Sequence, residues 1–503
     1  MSTPKTRNSV LVTPSPNALE LAQVSAPVAS KTVADSDPLL IAFAQPYDAE
    51  NPLDWPASRK WMVTDVLSAT GFNRIMVSTI MAPALPVIAS ELGMSSTEAA
   101  MALSIYLLAT AFGPLIIGPL SEIYGRQVIL HASNVWFLIW NIVCGFAATK
   151  GTLIASRFLA GFGASAIYAL GGGVLGDIWR PEQRGRSLGV YLLIPLLGAA
   201  VGPIIGGFIV GRTTWRWMFW ATSIFQAVMI FVSFFSFPES YGPLILRRRA
   251  DRLRKGTGDF RYRTEGERRD GRRSTTSILA RTLTRPLRLL AFHPIILVSA
   301  ILTGFTYGIM YITLSTFSDL WMTKYHQSVE ISGLHYIACS LGELAASQIG
   351  GPLMDYLYKR QQSENPSPES RLPLTFPSII AAWLGLIVYG WTAQYEVHWL
   401  AVDVGVFISM FGMQLAGMPN FEVTAYVIDA YPEHTSSAMA ATQFIKSLTA
   451  FLFPLFAPSM YKALGYGWAN SVMALAGTVL AIPLQAFVWK FGAKLRAKAA
   501  STY

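Results

Sequence analysis

Twelve separate stretches of about 20 predominantly apolar residues run through the chain, each long enough to cross the hydrocarbon layer of a bilayer as a helix. Six precede a long polar loop and begin near Trp61, Ala99, Val128, Thr152, Ser187 and Trp217. Six follow it and begin near Phe292, Ile331, Thr375, His398, Ala438 and Trp468. Charged residues make up only 14 % of the 503 positions, whereas a soluble domain carries roughly 25 %. The expected fold is therefore an all-α membrane protein with 12 transmembrane helices.

Lysine and arginine favour the cytoplasmic side of a membrane. With twelve spans and both termini inside, 31 of the 39 basic residues fall on cytoplasmic segments, five fall outside, and Arg74, Arg157 and Lys446 lie within spans. An odd number of spans would destroy that bias. The expected order is a disordered cytoplasmic tail (1–60), a first six-helix half (61–238), a basic central loop (239–291), a second half (292–490) and a short tail (491–503). The first segment lacks the basic start, apolar run and cleavage site of a signal peptide. The net charge of +10 sits largely in the central loop, with Arg247, Arg248, Arg249, Arg252, Arg254 and Lys255 among its residues, so it points to an inside-retaining tether or to anionic lipid rather than to nucleic acid. Ser274, Thr275 and Thr276, beside Arg272 and Arg273, are a candidate regulatory phosphosite.

The two halves repeat each other. Asp177 and Asp429 stand in matching segments, as do Pro203 and Pro454, and Trp217 and Trp468. Gly118-Pro-Leu-Ser-Glu122 echoes Gly351-Pro-Leu-Met-Asp355. Such repeats imply two pseudo-symmetric halves about an axis along the membrane normal, with a cavity between them.

Three segments carry mechanism. The short loop after the second span reads Gly118-Pro-Leu-Ser-Glu122-Ile-Tyr-Gly-Arg126, placing one acid and one base at a membrane edge, where the acid can pair with a helix N-terminus or an arginine. The fourth span contains Arg157, and an arginine at a helix centre costs roughly 2.5–3.5 kcal/mol on insertion scales, so it faces a cavity or is paired internally to an acid or carbonyl. The fifth span reads Gly198-Ala-Ala-Val-Gly202-Pro203-Ile-Ile-Gly206-Gly207, a flat small-residue face with a proline that permits a bend.

In these three segments the chain resembles the major facilitator superfamily, and within it the fungal twelve-span drug–proton antiporters. Asn51-Pro-Leu-Asp-Trp55, Ser78 to Pro86, and Asp177 with Arg180, Arg184, Gly185 and Arg186 extend the likeness. Glu122 stands where the family usually has aspartate. The resemblance implies the major facilitator fold, a proton-coupling role for Arg157, and, through the fifth-span motif, exchange rather than uptake. It implies export of drugs, toxins or secondary metabolites in a fungal cell; the plasma membrane is the expected location, with the vacuolar membrane as the alternative.

The expected coupling and gating set is Arg157, Glu122, Arg126, Asp177, Glu343, Gly198, Gly202, Pro203, Gly206, Gly207 and Asp355. Glu343, inside the eighth span, is suited to taking up an external proton or pairing a cationic substrate; its alternative is a static pair with Lys446 or Arg74. Asn73, Arg74, Gln226, Tyr307, Tyr311, Gln348, Gln414, Asn420 and Gln443 are the expected substrate contacts, since a few polar anchors among aromatics suit apolar solutes; for each alone, interhelical packing is the plainer role.

No cofactor is expected. The chain has no Gly-Lys dipeptide and so no Walker A loop, its six histidines are dispersed, and Cys144 and Cys339 lie in apolar stretches. Enzyme activity is accordingly not expected. The partners are a small-molecule substrate, protons and the bilayer, with a monomer able to hold the whole path. Uptake of a polyamine or nutrient is the alternative transport reading, and a non-transporting receptor on the same fold is the alternative class.

Overall fold

The computed structural model describes residues 39–270, 284, 286–362, 375–430 and 435–500, without the side chains of some helical stretches, chiefly 354–362 and 416–430. The first half comprises span 1 (Ala57–Leu92), span 2 (Ser96–Tyr124), span 3 (Arg126–Gly145), span 4 (Lys150–Ile178), span 5 (Gly189–Arg212) and span 6 (Arg216–Ser236). Span 7 (Pro294–Thr323), span 8 (Val329–Gln362), span 9 (Thr375–Gln394) and span 10 (Trp399–Ala430) follow. Spans 11 and 12 form one helical run, Thr435–Ala500, broken at Gly465. All these starts lie within a few residues of the expected ones, because the need for about 20 apolar residues leaves little freedom.

Local chemistry sets the breaks. Ser95 and Glu98 form a reciprocal capping box that starts span 2. Span 11 ends at Gly465, whose φ of 72° puts it in the left-handed region that glycine adopts at no steric cost. Within the first half, span 1 packs on spans 5 and 6, and span 4 on spans 2 and 3; within the second, span 9 packs on span 10 and span 8 on span 10. The halves meet where span 2 lies along span 11 and span 5 along span 8.

The end of the bundle that carries the start of span 1 and the central loop is called here the loop end; the other is the far end. The loop end corrects two expectations. Residues 1–38 lie outside the described residues, but 39–60 are folded, not disordered. Leu40–Ile41 pairs in parallel with Arg263–Thr264. Asp48 bonds Arg249 at 2.7 Å, Glu50 bonds Arg252 at 2.9 Å, and Asp54 bonds Arg180 at 2.8 Å. The central loop is likewise more than a tether: it holds a basic helix, Gly242–Thr257, on which the tail is seated. Residues 274–276, the expected phosphosite, lie outside the described residues.

Asp48 accepts a hydrogen bond from the Ala44 backbone N–H, and that bond together with the Arg249 guanidinium holds its carboxyl below the usual 3.8. A lowered folded pKa means that the contact stabilises the clasp above the ordinary carboxylate pKa and fails as pH falls through the folded value. Asp48→Asn is therefore expected to speed tryptic cleavage between residues 39 and 60 at neutral pH several-fold, while leaving the spans intact, as limited proteolysis with mass spectrometry would read.

Candidate transport site

The first half holds two arginines with essentially no solvent exposure, and neither meets a carboxylate among the described residues. Arg157 donates from Nη1 to the Val77 carbonyl at 2.8 Å, and from Nε and Nη2 to the Ala102 and Leu103 carbonyls at 3.3 Å each. Its guanidinium also lies 4.7 Å from the centre of the Tyr106 ring, a cation–π distance. One planar fork thus ties span 4 to spans 1 and 2, using carbonyl oxygens as acceptors. Arg74 donates to Asn134 Oδ1 and, more weakly, to Ser133 Oγ at 3.5 Å and the Ala164 carbonyl at 3.4 Å. Its Nε has no hydrogen-bond partner among the described residues.

Asn73 and Gln226, expected to touch substrate, are drawn into the same network. Asn73 Nδ2 donates to Gln226 Oε1 at 3.1 Å, and Gln226 Nε2 donates to Asn134 Oδ1 at 3.2 Å. This cluster joins spans 1, 3 and 6 inside the first half.

The polar groups between the halves are different. Tyr307 and Tyr311 of span 7 lie with ring centres 5.3 Å apart, and Lys446 Nζ of span 11 stands 4.0 Å from the centre of the Tyr307 ring. Glu343 of span 8 is within electrostatic reach of Lys446 and of both tyrosines. It forms no direct ion pair with Lys446 or Arg74 among the described residues, so the static pairing is not what the geometry holds. Tyr168 of span 4, close to both tyrosines, is 40 % exposed even though it sits deep in the bundle, so its free face borders an internal cleft. Gln443 donates to Ser447, whose hydroxyl meets Thr110 of span 2 at 3.0 Å across the cleft. Gln348 is exposed and Gln414 partly buried. The side chains of Asp355 and Asn420 lie outside the described residues.

The far end of this cleft is closed. Ser318 of span 7 donates to the Pro83 carbonyl of span 1 at 3.0 Å and meets Ser332 of span 8 at 2.8 Å. The span 5 glycines explain how the helices come so close. A Cβ on Gly198, Gly202 or Gly206 would fall 2.5, 2.9 or 2.0 Å from a backbone oxygen of span 1, and one on Gly207 would lie 3.1 Å from Gly333 of span 8. Pro203 leaves the helix unbroken, and its carbonyl faces Gly333. The ridge therefore touches both halves.

At the loop end Arg126 pairs with Asp177 at 3.3 Å. Glu122 is exposed and makes no ion pair with a described residue. The carboxylate seated on the N-terminus of span 3 is Glu239, which accepts from the backbone N–H groups of Arg126 at 2.9 Å and Gln127 at 3.3 Å. A carboxylate there meets unpaired N–H groups and the positive end of the helix dipole. Gly125 makes room for it, since a Cβ would fall 2.1 Å from Glu239 Oε2. Sequence reasoning placed Glu239 at the start of a loop and missed this role; the only hint was an acid directly after an apolar span. A second missed group is His335, buried near the far end of span 8 and bonded to Asp403 of span 10 at 2.8 Å.

Two six-helix halves, a cleft between them with ionisable groups at mid-membrane depth and a glycine ridge at the seam are the architecture of a membrane transporter with a central site. Residues 67–454 match the family model described as Major Facilitator Superfamily, and the chain belongs to that family, whose members are transporters and not enzymes. It is 55 % identical over 429 residues to a protein named probable efflux pump mfs2 from Aspergillus flavus, an alignment covering 84 % of this chain and all of that one. It is 40 % identical to efflux pump vrtL from Penicillium aethiopicum, over 92 % of each chain. In architecture it is similar to the xylose transporter XylE from E. coli in a partially occluded inward-open conformation, with a TM-score of 0.62 at 15 % identity, over 86 % of this chain and 98 % of that one.

Proposed function

We propose that this protein exports small lipophilic molecules, drugs or fungal secondary metabolites, in exchange for protons by alternating access. Both termini then face the cytoplasm and the membrane is the plasma membrane. The observation that carries this reading is the cleft itself. Glu343, Lys446, Tyr307, Tyr311 and Tyr168 meet at the seam between the halves, where they are not used up in bracing either half. Aromatic faces receive an apolar solute, and a few polar groups orient it. Glu343 is the group that exchanges a proton for the solute, and Lys446 is the charge that its ionised form faces. The names of the relatives, a probable efflux pump and an efflux pump, favour the outward direction.

The lateral face of the seam suits lipophilic cargo. Leu196, Leu197, Ala200 and Ile204 of span 5 and Ile337, Ser340, Leu341 and Leu344 of span 8 line an apolar cleft that runs beside the glycine contact. A solute dissolved in the bilayer can enter from there without crossing water.

The energetics suffice. One proton moving down about one pH unit and about 100 mV releases roughly 1.4 plus 2.3 kcal/mol. At about 1.4 kcal/mol per tenfold, this sustains a gradient of a few hundredfold for a neutral solute.

The test is accumulation of a panel of lipophilic fluorescent compounds in yeast stripped of its own efflux pumps, with and without this protein. Lower accumulation of at least one compound, reversed by a protonophore, is the expected result. Raised accumulation would turn the direction around and make the protein an importer.

A further inference from the structure

Near the far end of the second half, His335 is enclosed on every side. Its Nδ1 lies 2.8 Å from Asp403 Oδ2 of span 10, and its Nε2 lies 2.8 Å from Gln327 Oε1 in the connection before span 8. Its ring stacks on Trp321 of span 7 at 3.7 Å between centres, with planes 10° apart, and Trp399 closes the edge at 5.7 Å.

The atom facing Nδ1 is a carboxylate oxygen, which accepts a hydrogen bond, and the Gln327 amide facing Nε2 is placed to accept one through its oxygen. A neutral imidazole has one N–H and can satisfy only one of them; the imidazolium has two and satisfies both. An ionised Asp403 also needs the charge. Its second oxygen is buried without a hydrogen-bond partner among the described residues, and a buried carboxylate without a cation is costly. Among the described residues the other ionisable groups nearby do not supply that cation: Lys324 pairs with Glu396 at 3.6 Å, Arg212 with Glu330 at 3.5 Å, His398 packs on the Trp399 ring and accepts from the Leu400 N–H, Tyr325 donates to the Val397 carbonyl, and Cys339 is a buried thiol.

Placement links this pair to the cleft. His335, Cys339 and Glu343 stand at intervals of four on one helix, so they share a face, and His335 lies about 12 Å nearer the far end than Glu343 at 1.5 Å per residue. The next turn toward the far end carries Ser332 and Gly333, the residues that seal the cleft against spans 7 and 5.

We propose that His335 and Asp403 form a proton-binding site at the far end of the second half, which takes the proton from the outside before it reaches Glu343. The step is a plain transfer: a proton binds an imidazole nitrogen and later leaves it, with no change of oxidation state. This rests on the reading of the chain as a proton-driven exporter, and it adds a loading site apart from the central cleft.

The stacked indole gives a direct readout, because an imidazolium in van der Waals contact quenches tryptophan fluorescence more strongly than neutral imidazole. The chain has 14 tryptophans, so the signal is the difference between the purified wild type and variants in lipid nanodiscs, titrated from acid to alkaline pH. A reversible rise in emission on deprotonation, absent in both His335→Gln and Trp321→Phe, is expected. His335→Gln keeps an amide that can still bond Asp403, and an unchanged size-exclusion profile shows that it folds. In yeast, with a dye that the wild type exports, efflux by His335→Gln is expected to lose its dependence on external pH.

No fluorescence step in the wild type, or the same step in His335→Gln, overturns the proton site. A step that vanishes in His335→Gln while the external-pH dependence of efflux persists overturns the loading role. If no dye is exported by the wild type yet the step behaves as expected, the export reading fails and the proton site stands.

Discussion

Arg157→Ala is expected to bring proton-driven export to the level of cells that lack the protein, while the variant still reaches the membrane. The substitution strips the donor from three carbonyls, Val77, Ala102 and Leu103, inside the first half. Val77 stands in the last turn of its helix, where a carbonyl lacks an intrahelical partner, and an orphaned buried acceptor costs about 1–3 kcal/mol; Ala102 and Leu103 keep their helical bonds but lose the tie to span 4, so spans 1, 2 and 4 must re-pack. Arg157→Lys should rescue little, because one ammonium cannot present the planar fork that reaches two helices at once. Energised efflux and unenergised equilibration of the same dye separate the roles. Loss of energised efflux alone assigns Arg157 to coupling; loss of both assigns it to holding the three helices in register. Normal rates in both assays would mean that water replaces the guanidinium without consequence.

The second large effect is expected at the span 5 ridge. In Gly206→Leu the new Cβ would fall 2.0 Å from the Ile80 carbonyl oxygen, which backbone cannot yield. Gly202→Leu meets the Met76 carbonyl at 2.9 Å as well as the Thr79 hydroxyl. Overpacking of this kind costs about 1–3 kcal/mol or more, and here it forces apart spans 1 and 5. Since the same helix touches Gly333 of span 8, the seam between the halves moves too. Export by either variant should fall at least about tenfold at equal surface expression, taking each 1.4 kcal/mol as tenfold. Gly151→Ala is the control, since nothing lies within 4 Å of its added Cβ. Normal transport by Gly206→Leu would mean that spans 1 and 5 separate freely.

Much of this architecture was legible in the sequence because a bilayer imposes its own ruler. Apolar length fixed the helices to within a few residues, and the placement of Asp177 and Asp429, or of Pro203 and Pro454, gave away the repeated halves. The glycine spacing in span 5 revealed a packing face, though not that three of its glycines serve span 1 and the fourth span 8. Rarity picked out Glu343 and Lys446, and the fold brings them to one cleft. It could not say that Asn73 and Gln226 would bond each other inside the first half, because a polar residue on a helix carries no label for which neighbour it will meet. The loop-end clasp was hidden for another reason. Its strand is two residues long, and its ion pairs join Asp48 and Glu50 to arginines about two hundred positions away. Glu239 and His335 were passed over because a cap and a partnered imidazole are defined by what surrounds them, not by any spacing along the chain.

The central claim is that solute leaves as protons enter through one cleft. The most direct measurement uses the protein in sealed vesicles with a pH-sensitive dye inside, with the outside made acidic and the membrane potential clamped with potassium and valinomycin. A compound that the protein exports from yeast is loaded inside. Internal acidification is expected to speed up only when both protein and compound are present, and Glu343→Gln is expected to abolish the coupled proton entry. Compound leaving at the wild-type rate with no accompanying proton movement would contradict the claim.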